Sequence, residues 1–219
     1  MDLYILFSLI GFASAATIYV HLVKSKGYSL NFPLFAAIVS LIGLFVGARL
    51  FGLIASHIYF INTGKYIPSG FVFYGGLFGY IAVFLYLQKD LFHENSALLC
   101  DAAGVMIPLF HGFARIGCFY AGCCSGFVLN VPVQITESIF NFYLFGVLLF
   151  IYKKGNNRAN LLSLYLFCYA IGRFILEFFR SDAERGMIGV LSFGQVCSIA
   201  VISVLIINTI LNKKNDCTH

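Results

Sequence analysis

The side chains best suited to chemistry crowd into one stretch, Phe110 to Gly126, reading FHGFARIGCFYAGCCSG. It holds His111, Arg115, four glycines and three of the seven cysteines, Cys118, Cys123 and Cys124. A guanidinium beside thiols favours the thiolate, which is the form that attacks carbon or binds metal. Cys-x4-Cys-Cys with a histidine upstream is not the spacing of a structural zinc site, and no second cluster accompanies it, so no metal ligand set is assigned. A disulfide, a nucleophilic thiol and plain packing of a tight re-entrant loop all stay open at this point.

Two more polar constellations lie downstream. Gln134 and Glu137, just after Pro132, are three apart and share a helix face. Arg173, Glu177 and Arg180 are spaced four and three apart, again on one face. A carboxylate between two guanidiniums either closes a self-satisfied ladder or aims both toward an anion, and guanidiniums grip phosphate bidentately where lysine is a point charge. Arg49 lies within a long apolar run, where an arginine costs about 2.5 to 3.5 kcal/mol on insertion scales and needs a partner or a polar cavity. Tyr74-Gly75-Gly76-Leu77 opens another apolar run; paired glycines permit close backbone approach, more often for packing than for catalysis.

The elements that must position these groups are membrane helices. The 219 residues are 60% hydrophobic and 11% charged, with a mean hydropathy of +0.91. Soluble domains carry roughly 25% charged residues, so a water-facing surface cannot be covered. Apolar runs long enough to cross a bilayer read as seven helices: 3–23, 33–59, 70–87, 96–113, 134–152, 161–180 and 188–211. The second is expected to be tilted or broken, because Gly43, Gly47 and Gly52 lie inside it. The fold expected is all-α and polytopic: a single transmembrane domain over 1–219, with a loop 114–131 and a short, frayed polar tail 212–219. No cleavable leader is expected, since Asp2 has the wrong sign for one, and no internal repeat is visible. The net charge of +5 makes no nucleic-acid patch, because the lysines sit in short loops.

Loop charge gives the orientation. Lys24, Lys26, Lys89, Lys153, Lys154, Arg158, Lys213 and Lys214 fall on one side, which is therefore cytoplasmic. Lys65, Arg115, Arg180 and Arg185 fall on the other. The N-terminus is expected outside, the C-terminus inside, and loop 114–131 on the outer face. Lysines follow this rule while most arginines gather toward the outer side, where they must serve something else.

Several blocks occur in order: Gly47-Ala48-Arg49-Leu50, Tyr74-Gly75-Gly76-Leu77, Arg115-Ile116-Gly117 with Gly122, Pro132-x-Gln134-x-x-Glu137, Arg173 through Arg180 with Asp182, and Gly194-Gln195. Together they resemble the prolipoprotein diacylglyceryl transferase family over nearly the whole chain. The resemblance implies a seven-helix membrane enzyme with its N-terminus outside. It implies transfer of a diacylglyceryl group from phosphatidylglycerol, or a similar anionic phospholipid, to the thiol of a lipoprotein-precursor peptide. It also implies a multi-pass protein of the bacterial cell membrane, and no cofactor is expected. Where the family has His-Gly-Gly, Tyr74 takes the histidine's place. Where its loop reads Arg-Ile-Gly-Asn-Phe and then Asn-Gly-Glu, Cys118, Ala121 and Cys123 stand instead.

Such a transfer needs an anion clamp for the departing phosphate, a base for the thiol and a lateral opening for lipid. Arg115 and Arg173 are read as the clamp, with Arg49 and Arg180 secondary and Glu137 and Glu177 holding them. Gly75, Gly76, Cys118 and Gln134 complete the expected substrate site. Tyr74 is the positional base, although a phenol with a pKa near about 10 is a poor one at neutral pH; Cys123 is the alternative. The competing readings are a divergent member using its loop cysteines on another acceptor, and a non-enzymatic lipid-binding or transport protein. No interrupted helix pair favours a transporter.

Overall fold

The computed structural model describes residues 3–67, 70–91, 96–155, 160–182 and 186–216. Arg158, Arg185 and the last three residues of the expected tail lie outside them. The chain forms helices α1 (Leu3–Ser25), α2 (Asn31–Thr63), α3 (Phe73–Tyr86), α4 (Ser96–Tyr120), α5 (Val133–Lys154), α6 (Leu161–Leu176) and α7 (Phe193–Asp216). Among the described residues six stretches are long and apolar enough to cross a membrane: α1, α2, α4, α5, α6 with its following turn, and α7. In lipid no water satisfies backbone groups, so long non-alternating apolar runs close their hydrogen bonds internally as helices.

The exception is the expected span 70–87. It is α-helical only over the 14 residues of α3. At 1.5 Å per residue that is about 21 Å, short of a hydrocarbon core of about 30 Å. A π-helical turn, Leu87–Leu91, prolongs it.

Other boundaries shift for identifiable reasons. α2 is unbroken and ends at Gly64, whose φ of 69° closes the helix in the left-handed region. Its glycines are contacts rather than breaks. A Cβ on Gly79 would stand 2.0 Å from the Gly43 carbonyl oxygen, and one on Gly47 would stand 2.2 Å from that of Gly75. α3 therefore crosses α2 backbone to backbone. α4 reaches Tyr120 instead of ending near 113, which puts Arg115 and Cys118 on a helix and not in a loop. α6 ends in a 3-10 turn, Glu177–Phe179. The tail expected to fray from 212 is helical through Asp216.

Two antiparallel hairpins precede α5 and α7: β1 (Phe127–Val128) with β2 (Val131–Pro132), and β3 (Met187–Ile188) with β4 (Leu191–Ser192). The second delays α7 from the expected 188 to Phe193. There Ser192 and Gln195 cap each other's backbone: Ser192 N–H donates to Gln195 Oε1 at 2.9 Å, and Gln195 N–H to Ser192 Oγ at 3.2 Å. Each hairpin closes on the helix after it, through Val133 N–H to the Gly126 carbonyl at 3.0 Å and Phe193 N–H to the Gly186 carbonyl at 2.9 Å.

α4 is the hub. It packs on α1, α5 and α6, while α6 also packs on α7 and α3 on α2. Within its apolar window 61% of α4 is buried, against 17% for α1 and for α2. α2 instead exposes Ile38, Ile42, Phe45, Val46 and Leu50, which suits a lipid surround. Asp101 of α4 accepts the Leu161 N–H at 2.7 Å, fixing where α6 begins.

The close crossing gives a stability test. Gly79→Val should lower the melting temperature of the detergent-solubilised protein by several degrees, an overpacking penalty of about 1 to 3 kcal/mol. Gly146→Ala, where nothing lies within 4 Å of an added Cβ, should leave it unchanged or slightly raised. Equal melting for both variants and the parent would rule out the backbone contact.

Candidate active site

Three helices each contribute one polar stripe. On α4, His111 and Arg115 are one turn apart, with Cys118 three residues further on. On α5 the stripe is Gln134, Glu137, Ser138 and Asn141. On α6 it is Tyr169 and Arg173, continued by Glu177 in the 3-10 turn. Because α4, α5 and α6 pack on one another, these stripes meet inside the bundle.

Glu137 is the meeting point. Its carboxylate is 1% exposed. Oε2 lies 2.6 Å from Arg115 Nη2 and accepts from Arg173 Nη1 at 2.9 Å. Oε1 accepts the Tyr169 hydroxyl at 3.1 Å, and His111 Nε2 stands 3.7 Å away. The chain of charges continues outward. Glu177 Oε2 lies 2.9 Å from Arg173 Nη2 and 3.4 Å from Arg180 Nη1, and Arg180 forks onto both oxygens of Asp182. Three guanidiniums thus face three carboxylates. A buried ion is tolerated only with such partners.

The arginines are not equivalent within this chain. Arg173 holds a carboxylate on each terminal nitrogen, and Arg180 holds Asp182 bidentately. Arg115 engages Glu137 through Nη2 alone. Its Nη1 points at Cys118 Sγ, 3.7 Å away, and its Nε has no hydrogen-bond partner among the described residues.

Beyond Arg115 lies the thiol turn. The Sγ atoms of Cys118, Cys123 and Cys124 all lie within 4.8 Å of one another. The six described cysteines, these included, are free. The turn is held at several points. Cys123 N–H donates to the Cys118 carbonyl at 3.3 Å, and Gln134 Nε2 donates to the Cys123 carbonyl at 2.7 Å. Ser181 N–H donates to the Ser125 carbonyl at 2.9 Å, and Gly126 bridges to Arg180. Gly126, at φ 147°, passes so close to Phe179 that a side chain would collide with its carbonyl. Cys124 sits at φ 57°, an uncommon backbone for a side-chain-bearing residue. Hydrogen bonds from Cys118 and Cys123 hold the Cys124 thiol below the ordinary range, with Arg115 and Arg180 adding to the pull. The same bonds to Cys118 and Cys124, together with burial, raise Cys123.

Other expected site residues lie on α2 and α3. Arg49 is exposed on α2. Gly75 and Gly76 face α2, where an added Cβ on Gly75 would meet the Gly47 carbonyl and the Phe51 ring and one on Gly76 would meet Leu44 and Ala48. The Tyr74 hydroxyl lies 2.6 Å from Ser198 Oγ, which itself donates to the Gly194 carbonyl at 2.9 Å. Ser198 therefore accepts the Tyr74 hydrogen bond, and the Tyr74 ring meets the Tyr169 ring, 5.6 Å between centroids.

Sequence reasoning overlooked Tyr169 and gave His111 no place at Glu137. Both were signalled by spacing, each lying four residues before an arginine of the centre. His111 is further fixed by stacking on Phe73, with centroids 3.5 Å apart.

Removing the meeting point should be severe. Glu137→Leu would strand two buried guanidiniums, at about 3 to 5 kcal/mol. The expected result is a large drop in detergent melting temperature or loss of folded protein, with Glu137→Asp intermediate. A Glu137→Leu protein melting like the parent would show the pairs to be dispensable.

The sequence profile of the prolipoprotein diacylglyceryl transferase family matches residues 1–211. A phosphatidylglycerol–prolipoprotein diacylglyceryl transferase of Clostridium tetani is 33% identical over 204 residues, covering 83% of this chain and 81% of its own. A second such protein, from Clostridium perfringens, is 30% identical over 217 residues, covering 88% of this chain and 84% of its own. With the profile spanning nearly its full length, the chain belongs to the prolipoprotein diacylglyceryl transferase family.

Proposed function

We infer that this chain transfers the diacylglyceryl group of phosphatidylglycerol to the cysteine thiol of a prolipoprotein, with Arg115 receiving the departing phosphate. The names of its relatives supply the substrates. The observation that carries the role of Arg115 is its divided guanidinium. One nitrogen is anchored on Glu137, while Nε and Nη1 are turned away from any carboxylate. A guanidinium held by one nitrogen keeps its remaining N–H donors in a fixed plane for an anion.

In the reaction the acceptor sulfur attacks the terminal glycerol carbon. The carbon–oxygen bond to phosphate breaks, and glycerol phosphate leaves with the electron pair. Charge develops on the phosphate oxygens, which Arg115 stabilises where water is scarce. Arg173, held by two carboxylates, acts by fixing Glu137 and hence the plane of Arg115; Glu177 and Arg180 extend that support. Gln134 positions the Cys123 carbonyl and with it the thiol turn. Arg49, exposed on α2, is assigned to the approach of the lipid headgroup, while Gly75 and Gly76 let α3 lie against α2. Tyr74, already donating to Ser198, is a poor base.

The arrangement in the membrane follows from loop charge. α3 with its π-turn serves as a seventh crossing, the N-terminus is outside and the C-terminus cytoplasmic. The thiol turn then opens on the outer face of a bacterial cell membrane, where prolipoprotein cysteines emerge.

Two measurements test this. Purified protein given phosphatidylglycerol and a lipobox peptide should add a diacylglyceryl mass to the peptide cysteine. Arg115→Lys should cut the rate by roughly two orders of magnitude, as when one oxyanion donor is removed, while Lys153→Ala, exposed at the far end of α5, should be silent. Near-normal turnover in Arg115→Lys would end bidentate capture at that position. Separately, a membrane-impermeant maleimide should label the exposed Cys123 in intact, reduced cells. Labelling only after permeabilisation would reverse the orientation.

A further inference from the structure

The geometry points to a metal site: Cys118, Cys123 and Cys124 bind one thiophilic divalent cation, zinc by ligand type, through three thiolates, and its fourth position takes the acceptor thiol. This rests on the transfer reading above for its purpose but not for its existence.

The sulfurs are already gathered. Three thiolates bound to zinc at about 2.3 Å lie about 3.8 Å from one another in a tetrahedron. The three Sγ atoms here lie within 4.8 Å of one another. The sulfurs are therefore within about an ångström of the spacing that a bound cation would impose. The backbone of the turn is built before any ion arrives, by the Gln134, Ser181 and Gly126 contacts and by the left-handed Cys124. None of the three sulfurs is tied up in a disulfide.

Charge fits as well. Three thiolates around a divalent cation carry one net negative charge. Arg115 Nη1 stands 3.7 Å from Cys118 Sγ. An anionic complex is thus set against the Arg115 guanidinium, already in place.

Ligand number separates this from a structural site. A zinc that only holds a fold has four protein ligands, whereas three protein ligands leave a position for substrate. Among the described residues no fourth cysteine, histidine or carboxylate joins the group. The spacing that fails as a zinc finger is therefore the spacing of an open site.

The chemistry also supplies what the rest of the centre lacks. Thiol alkylation needs the acceptor as thiolate, yet the Tyr74 hydroxyl is engaged as a hydrogen-bond donor to Ser198, and Glu137 is held between two arginines. A thiol coordinated to zinc loses its proton outright. The acceptor R–SH binds as R–S⁻ and its proton passes to water. The sulfur lone pair forms the new carbon–sulfur bond as the carbon–oxygen bond to phosphate breaks, and the electron pair departs with glycerol phosphate beside Arg115. The cation changes no oxidation state. The product thioether is neutral and a weaker ligand, so it is released.

The experiment uses full-length protein in detergent, reduced and then freed of reductant, titrated with Co²⁺ as a spectroscopic stand-in and with Zn²⁺ against a chromogenic chelator. The parent and Cys168→Ser should each bind one equivalent with sulfur-to-cobalt charge-transfer absorption. Cys118→Ser, Cys123→Ser and Cys124→Ser should each bind at least tenfold more weakly while keeping helical circular dichroism. Adding a lipobox peptide to the cobalt-loaded parent should raise the charge-transfer absorption by about a third, from three thiolates to four. Its serine counterpart should not. No stoichiometric binding in the parent overturns the site, as does a mass loss of two hydrogens showing that the turn isolates as a disulfide even after reduction. Binding without response to the peptide overturns the role of the fourth position. A peptide response without any diacylglyceryl transfer leaves the metal site standing and sinks the transfer reading instead.

Discussion

A carboxylate with two guanidiniums on one oxygen, sealed inside a helix bundle, is the arrangement that everything else here must protect. Glu137 is tolerable in an apolar interior only while Arg115 and Arg173 remain beside it, and they only while it remains. That mutual dependence ties α4, α5 and α6 together more specifically than apolar packing does. Leucine against leucine admits many registers, but a shared carboxylate admits one. The hydroxyl of Tyr169 and the ring of His111 complete the shell around Glu137. Asn141 Nδ2 donates to the Glu137 backbone carbonyl at 2.8 Å, fixing the helix turn as well as the side chain.

This self-contained polar core would be inert if every arginine in it were equally engaged. The asymmetry arises from position. Arg173 is flanked by acids on α5 and in the turn that ends its own helix, while Arg115 sits near the end of α4, where the next groups along the face are thiols. Rigid support and chemical availability are thus divided between two residues of the same type. A fixed donor aimed at a developing charge stabilises it without reorganising, because its orientation was set on folding. The same holds for the thiol turn, whose unusual backbone is held by bonds reaching to α5 and to the segment after α6.

The helices were legible because lipid leaves long apolar runs one backbone solution. The end of α4 was not. Arg115-Ile116-Gly117-Cys118 carries a charge, a glycine and a thiol, a composition that reads as loop, and only the partner on α5 makes Arg115 compatible with a buried helix. The charged side chains showed through their three- and four-residue spacing, whereas Tyr169, at the same spacing before Arg173, was hidden among apolar neighbours in LSLYLFCYAIGRF. The shortness of α3 was invisible because its apolar run continues into residues that do not stay α-helical. The start of α7 could have been found, since Ser192 and Gln195 form a capping pair three residues apart. The glycines of α2 misled in the opposite sense: their meaning lay on another helix.

The two hairpins share a measure that bears on how freely this chain can vary. From Gly126 to Val133 and from Gly186 to Phe193 the count is the same, and each pair is closed by one backbone hydrogen bond. Each hairpin is therefore a spacer of set length mounted directly on a helix. A helix turns about 100° per residue. Had one residue been removed within the first hairpin, with its closing bond kept in place through the Gln134 N–H, the helix behind it would begin one position later in the chain. Glu137 would then swing by about 100°, away from both arginines. Loops elsewhere on a membrane protein absorb insertions easily; here the length of a six-residue connection is part of the address of a charge buried four residues into the next helix.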